Sequence, residues 1–373
     1  MTYDNMLEKM NFRFQFTFSQ ASSPFFGSAI SPPNPIIGLV VSCLLTVLLS
    51  TSLHAQQYTI KFATLATEGS TWLNVMKEYD QAVRKESGGR LGFKIYAGGV
   101  QGDEKDVLRK IRLGQLQGAG ITGVGIGEIA KSVRILDSPF LFKSYEEVDS
   151  VDEQFHSLFA KSFDDGGFVL IGWAEVGFVY TFTNSPVSKP ADLRGVKMWM
   201  WEGDPIAEAM FDVLEVHPIP LSITDVMTSL QTRLIDGVYS PPLACLALQW
   251  FTRVKYMLDV PLADAQGAIV VAKNKFDQLP VDLQGILLNE GKIYFAKLTR
   301  LSREDNAKAI STLEKNGIQI IKVQDKKLLS SYDEIGKKAR QSLVGKLYDE
   351  QLLSSVEQTV QHIRAKSTQK KTK

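Results

Sequence analysis

From Tyr58 onward, short strand-like runs alternate with segments of helical period, and that order constrains the fold more than any other feature of the chain. "YTIKFAT" (58–64) alternates as a half-buried strand does. The next segment places Trp72, Val75, Met76, Tyr79 and Val83 on one helical face, with Ser70 or Thr71 to cap its start and Gly88 to stop it. "RLGFKIYAGG" (90–99) is a second strand, and "GDEKDVLRKIRLGQL" a helix with Val107, Leu108 and Ile111 inward. Strand–helix–strand–helix order predicts an α/β fold with helices on the faces of a sheet.

"GAGITGVG" (118–125) then matches G-x-G-x-x-G through Gly118, Gly120 and Gly123. A dinucleotide-binding turn of that pattern must follow a strand and open a helix, so that the helix N-terminus meets a pyrophosphate. Here the glycines follow a helix, and no acidic residue stands convincingly about twenty positions on. The sequence therefore predicts a small-sided strand over 118–122, with Gly123 beginning its exit loop and Thr122 at its rim, and no cofactor. Small side chains there would leave room in a cleft wall. Asp137 lies in "VRILDSPFLF", which reads as a buried strand-like run with a proline turn.

Ahead of Tyr58, "IIGLVVSCLLTVLLSTSL" (36–53) is almost wholly apolar and "HAQQ" follows it. This is the pattern of a secretory signal cleaved after Ala55, which makes residues 1–55 a signal peptide with extra leader and places the mature chain in the periplasm. The rival is an uncleaved anchor, because 18 residues just reach the spanning threshold. Leu53 is large for its place, and the long leader admits a start further downstream. Beyond Cys43 in the leader only Cys245 remains, so there is no disulfide framework. Lys and Arg total 42 against 41 Asp and Glu, a balance that argues against nucleic acid. The basic end (Lys366, Lys370, Lys371, Lys373) reads as a frayed, solvated terminus.

Further on, "GFVLIGWAEVGFVYTFTNSPV" (167–187) reads as two strands and "DLRGVKMWMW" as a turn and a strand. Asp204 caps a helix with Pro205 at its first position. Ser222 to Asp225 has the form of a capping box. "GVYSPPLACLALQW" passes from strand to helix, "GAIVVA" (267–272) is a strand, a long helix runs from Pro280 to about Lys315, and "IQIIKV" is the last strand.

Seven of these stretches in register resemble the extracytoplasmic solute-binding proteins of TRAP transporters, the DctP-type family. They are "ATEGSTW" (66–72), "GGRLGFKIYAGGVQGDE" (88–104), "IRLGQLQGAGIT" (111–122), "DSPFLF" (137–142), "DLRGVKMW" (192–199), "SLQTRLIDGVYSPP" (229–242) and "GKLYDEQLL" (345–353). The resemblance covers residues 58–365. It implies a two-lobed α/β binding protein without catalysis, with a long helix spanning both lobes. By analogy one lobe holds 58–176 and 266–305, the other 177–265 and 306–345, and 346–373 forms a C-terminal helix and tail. Ligand would bind in the cleft, closure would bury it, and the closed form would be presented to TRAP membrane permease subunits.

The chain departs from that family where ligand is held. Relatives carry an arginine after "DLRG" that pairs with a ligand carboxylate; here the strand reads Lys197-Met198-Trp199-Met200. The "DGxENP" segment has become Asp236-Gly237-Val238-Tyr239-Ser240-Pro241. A second arginine is missing, with Phe178, Val179 and Tyr180 in its region. Cationic and polar groups give way to aromatic ones. Desolvating an unpaired carboxylate costs several kcal/mol, whereas one Trp face burying ~150 Å² contributes roughly 4 kcal/mol. The expected ligand is therefore apolar, aromatic or amphipathic.

The candidate ligand-binding residues are Glu68, Trp72, Thr122, Phe178, Tyr180, Trp199, Trp201, Tyr239 and Ser240. Glu68 and Trp72 sit at the first strand-to-helix turn, where open α/β sheets bind ligands; Glu68 also has the simpler reading of a helix-start acid. Met198 and Met200 share one face of their strand and Trp199 and Trp201 the other, so both indoles line the cleft or both pack inward. No catalytic site is expected. His156, His217 and His362 stand near no nucleophile motif and no second histidine at metal spacing. Glu202 and Asp204 lack a third metal ligand, and Asp204 is already used as a cap. A second functional reading is a periplasmic carrier of a lipid-like ligand, working with a tetratricopeptide-type partner instead of a permease.

Overall fold

The computed structural model describes residues 57–371; the leader, its cleavage after Ala55 and the last two residues of the basic tail lie outside the described residues. β1 (Tyr58–Thr64) leads into α1 (Thr71–Glu86), whose cap is Ser70 and whose buried face is Leu73, Val75, Met76, Tyr79 and Val83. β2 (Leu91–Tyr96) pairs parallel with β1. α2 (Glu104–Arg112), capped by Asp103, returns the chain to β3 (Gly118–Thr122), parallel to β1 on its other side.

At this point two expectations fail. Gly123 opens no loop: α3 (Gly123–Ile129) follows β3 directly. The run around Asp137 is no strand either, but a 3₁₀ turn over Lys131–Asp137 that buries Val133, Ile135 and Leu136. An apolar run without strict alternation has no preferred extended face, so its neighbours decide its form.

α4 (Tyr145–Asp165) and β4 (Phe168–Trp173) follow. β5 (Gly177–Thr183) opens a second sheet, joined by β6 (Trp199–Trp201), α5 (Pro205–Leu214), β7 (Ile219–Leu221), α6 (Val226–Gln231), β8 (Gly237–Ser240), α7 (Pro242–Ala247) and β9 (Tyr256–Ala265). β10 (Gly267–Ala272) rejoins the first sheet, and α8 (Val281–Lys315), β11 (Gln319–Ile321), α9 (Lys326–Ser342) and α10 (Glu350–Lys371) complete the chain.

The first sheet has the order β2-β1-β3-β10-β4, with β10 antiparallel to both neighbours. The second has the order β11-β9-β5-β8, and β6 pairs with β7 alone. The chain passes between the sheets at 174–176 and again at Gln266. α8 ties the two together. Its Leu283, Leu287, Phe295 and Leu298 sit in the core against the first sheet, while Leu313 packs with Phe182 and Met257 of the second. A helix of 35 residues is about 50 Å long. Among the described residues no helix is long and apolar enough to cross a membrane.

Candidate ligand-binding site

Between the sheets lies a cavity of about 250 Å³. Its walls come from the turn after β1, from β3 and the start of α3, and from β6, β8 and β9. Six of the nine residues named from the sequence line it: Trp72, Thr122, Trp199, Trp201, Tyr239 and Ser240.

β6 sets the aromatic wall. Met198 and Met200 pack into the core beneath α5, so alternation turns Trp199 and Trp201 to the other side. Trp199 is 1% exposed, stacks on Tyr239 (4.9 Å, 20° between planes) and meets Trp250 edge-on at 5.4 Å. Its indole N–H donates to the Leu221 carbonyl at 3.0 Å, so the ring is buried without an orphaned donor. Trp201 N–H donates in turn to the Tyr239 hydroxyl.

Glu68, Phe178 and Tyr180 do not line the cavity. Glu68 lies on the solvent side of the turn, paired with Lys77 at 2.5 Å, because Ser70 already caps α1. Phe178 packs its ring on Tyr145 at 4.8 Å. On β5 it is Val179 that reaches the cavity. Its two neighbours point the other way, as the strand period requires. Alternation gave the signal, with no anchor in the sequence to choose the parity.

β3 uses its glycines differently from the expectation of an open wall. A Cβ on Gly120 would lie 2.3 Å from the Trp72 ring. The missing side chain thus seats the protein's own indole against the strand. The start of α3 does form a cradle for a carboxyl, and the carboxyl is the protein's own. The Glu104 carboxylate accepts from Thr122 N–H and Thr122 Oγ1 at 2.8 Å each and from Gly125 N–H at 2.7 Å. A Cβ on Gly125 would meet that carboxylate at 2.8 Å. The position a phosphate would need is filled. Burial, outweighing these hydrogen bonds, pushes the Glu104 carboxyl up to about 7.

The sequence did not reveal the polar wall. Arg134, 3% exposed, donates from Nε to Asp137 at 2.7 Å and from Nη2 to Asp204 at 2.9 Å. Asp137 also accepts the Gln266 N–H at 2.8 Å, and the Gln266 side chain donates to Asp264. Arg134, Asp137, Asp204, Asp264 and Glu104 all line the cavity. The expected role of Asp204 as helix cap is present, with the Arg134 pair added to it.

Asp103 reaches across to the second sheet's side. Its carboxylate accepts from Trp201 Nε1 (3.1 Å), Ser222 Oγ (2.5 Å) and Ile223 N–H (3.1 Å). Ser222 caps its turn by accepting the Thr224 N–H and donates its hydroxyl proton to Asp103, without the reciprocal bond to Asp225 that a box requires.

Set beside known proteins, residues 62–343 match the family model described as bacterial extracellular solute-binding protein, family 7. The 2,3-diketo-L-gulonate-binding periplasmic protein YiaO of Escherichia coli is 25% identical over 301 residues, 79% of this chain and 89% of its own. The C4-dicarboxylate-binding periplasmic protein DctP of Rhodobacter capsulatus is 23% identical over 282 residues, 75% of this chain and 84% of its own. A TRAP periplasmic solute-binding protein from Roseobacter denitrificans, solved with bound L-galactonate, superposes with a TM-score of 0.73 at 20% identity, over 82% of this chain and 99% of that one.

Proposed function

Because the chain belongs to the bacterial extracellular solute-binding proteins of family 7, a family of receptors and not of enzymes, we propose that it is the periplasmic receptor of a TRAP-type system for an apolar, aromatic or amphipathic ligand. The cavity between the sheets holds that ligand, and the closed form delivers it to the membrane permease. We assign 58–176 and 266–305 to one lobe and 177–265 and 306–345 to the other, following the points where the chain changes sheets. The tail of 346–373 lies beyond both.

One observation carries the ligand class. Trp199, which the resemblance sets in the place of the family's arginine, stacks on Tyr239 at the cavity wall and meets Trp250 edge-on. Arg134 is the cavity's arginine, and Asp137 and Asp204 already neutralise it. The relatives named above bind sugar acids or dicarboxylates. A carboxylate here would enter beside Glu104 and Asp264 with no free cation to meet it, at a cost of several kcal/mol. Trp72, Thr122, Trp201, Tyr239 and Ser240 are proposed as further ligand contacts. No observation favours a tetratricopeptide-type partner over a permease.

Extraction of the purified protein with organic solvent, followed by mass spectrometry, tests the reading; an aromatic or lipid-like molecule is expected. Saturating micromolar binding of a C4-dicarboxylate or sialic acid would sink it.

A further inference from the structure

An apolar cavity has no need of four carboxyls on its wall, yet Glu104, Asp137, Asp204 and Asp264 are all there. Two are fully used. Glu104 accepts three hydrogen bonds, and Asp137 is taken by Arg134 and the Gln266 N–H. The other two are not. Both hydrogen bonds to Asp204, from Arg134 Nη2 and Ile206 N–H, end on Oδ1, leaving Oδ2 with none. Asp264 is 0% exposed; its Oδ2 accepts from Gln266, and its Oδ1 has no partner.

Arg134 Nη1 is also unpaired and would favour the opposite kind of ligand. It lies against α3, however, where a Cβ on Gly127 would be 3.2 Å away. Its charge is already met by two carboxylates. The carboxyl oxygens left open on the cavity wall are those of Asp204 and Asp264. A buried acceptor left without a hydrogen bond is costly, and a ligand that supplies one recovers that cost.

We propose that the ligand's head is a hydrogen-bond donor, a hydroxyl or an ammonium, seated against Asp204 and Asp264, and that these two side chains set specificity in place of the family's cation. This rests on the reading of the cavity as the site for an aromatic or apolar body. It adds the polar end of that molecule and excludes an acid head.

Binding of four probes sharing one ring tests it, followed by tryptophan fluorescence and calorimetry on the mature chain: 2-phenylethanol, phenethylamine, ethylbenzene and phenylacetate. The alcohol, the amine or both should bind roughly tenfold or more tightly than ethylbenzene and phenylacetate; which of the two wins identifies the head. Asp264→Asn and Asp204→Asn should each weaken the alcohol or amine more than they weaken ethylbenzene, a differential that a general loss of folding cannot mimic. Equal binding of alcohol, amine and ethylbenzene overturns the donor head and leaves the apolar reading standing. Preference for phenylacetate, or no saturable binding by any of the four, overturns both.

Discussion

Asp103 offers the sharpest test of how the cavity closes. The residue is 9% exposed and caps α2 on one side of the cavity, while three of its hydrogen bonds go to Trp201, Ser222 and Ile223 on the other. Asp103→Ser keeps an oxygen for the helix cap, since serine caps about as well as aspartate. It withdraws the carboxylate from the three cross-cavity donors. In an open form water would serve those donors, so only the net worth of each bond is lost, about 1 kcal/mol apiece. Three such bonds give about 3 kcal/mol, or roughly two decades in the closed-to-open ratio. On the proposed closure, ligand contacts to both sides exist only in the closed form, so the loss appears as affinity. Calorimetric titration with the molecule recovered by solvent extraction should show a dissociation constant roughly 100-fold higher, while the urea midpoint barely moves. Ser222→Ala, which removes one bond of the three, should cost about fivefold. An Asp103→Ser protein whose affinity stays within about threefold of the parent would refute the latch.

Other perturbations reach the same walls. Gly120→Ala puts a methyl 2.3 Å from the Trp72 ring and should cost about 1–3 kcal/mol in urea unfolding; Trp72→Leu in the same chain should relieve part of that, and strict additivity would count against the packing argument. Trp199→Ala empties a slot that is 1% exposed and should destabilise by about 3–5 kcal/mol, with a cost under 1 kcal/mol pointing to a ring that does not pack as described. Glu104 is raised from 4.5 to about 7 in the folded chain, so the fold favours its protonated form. Its contribution is therefore fully present below pH 4.5 and declines by about 3 kcal/mol as pH rises to about 7. Urea midpoints between pH 5 and 8 should fall more steeply for the parent than for Glu104→Gln; equal slopes would assign the titration elsewhere.

How much of this was legible in the sequence depended on which interactions are local. Strands and helices with clear period, such as 58–64 and 281–315, could be read directly, and so could the caps at Ser70 and Asp204. Alternation on β6 correctly grouped the two tryptophans but could not say which face met the cavity. On β5 the same rule was available without an anchor, and Phe178 and Tyr180 were named where Val179 faces inward. The polar wall is a different case. Arg134 and Asp204 are separated by 70 residues, and Thr122 and Glu104 by 18. No spacing rule reaches such pairs. Nor does sequence reveal that a serine placed for a capping box will give its hydroxyl proton to Asp103.

The glycine-rich run links these points. Read as a nucleotide cradle, it needed a strand before its glycines, but Gly118 and Gly120 lie within β3 itself, after a helix, and only Gly123 opens α3. The helix start is in any case occupied by Glu104, and the close glycines let that carboxyl and the Trp72 ring approach. Filling that site with a resident carboxyl has a consequence for the ligand. It places a buried acid on the cavity wall, close enough to Asp103 for that neighbour to disfavour the charge on Glu104. On the reading proposed above, Arg134 is committed to two aspartates and leaves an incoming carboxylate without a cation of its own. On that same reading, Trp199 in the place of an arginine is one part of a larger rearrangement. Restoring the arginine alone, as Trp199→Arg, should not restore acid binding, because the new guanidinium would be drawn to the unused oxygen of Asp204. Tight binding of a C4-dicarboxylate by that single variant would show that the acidic wall does not govern selectivity.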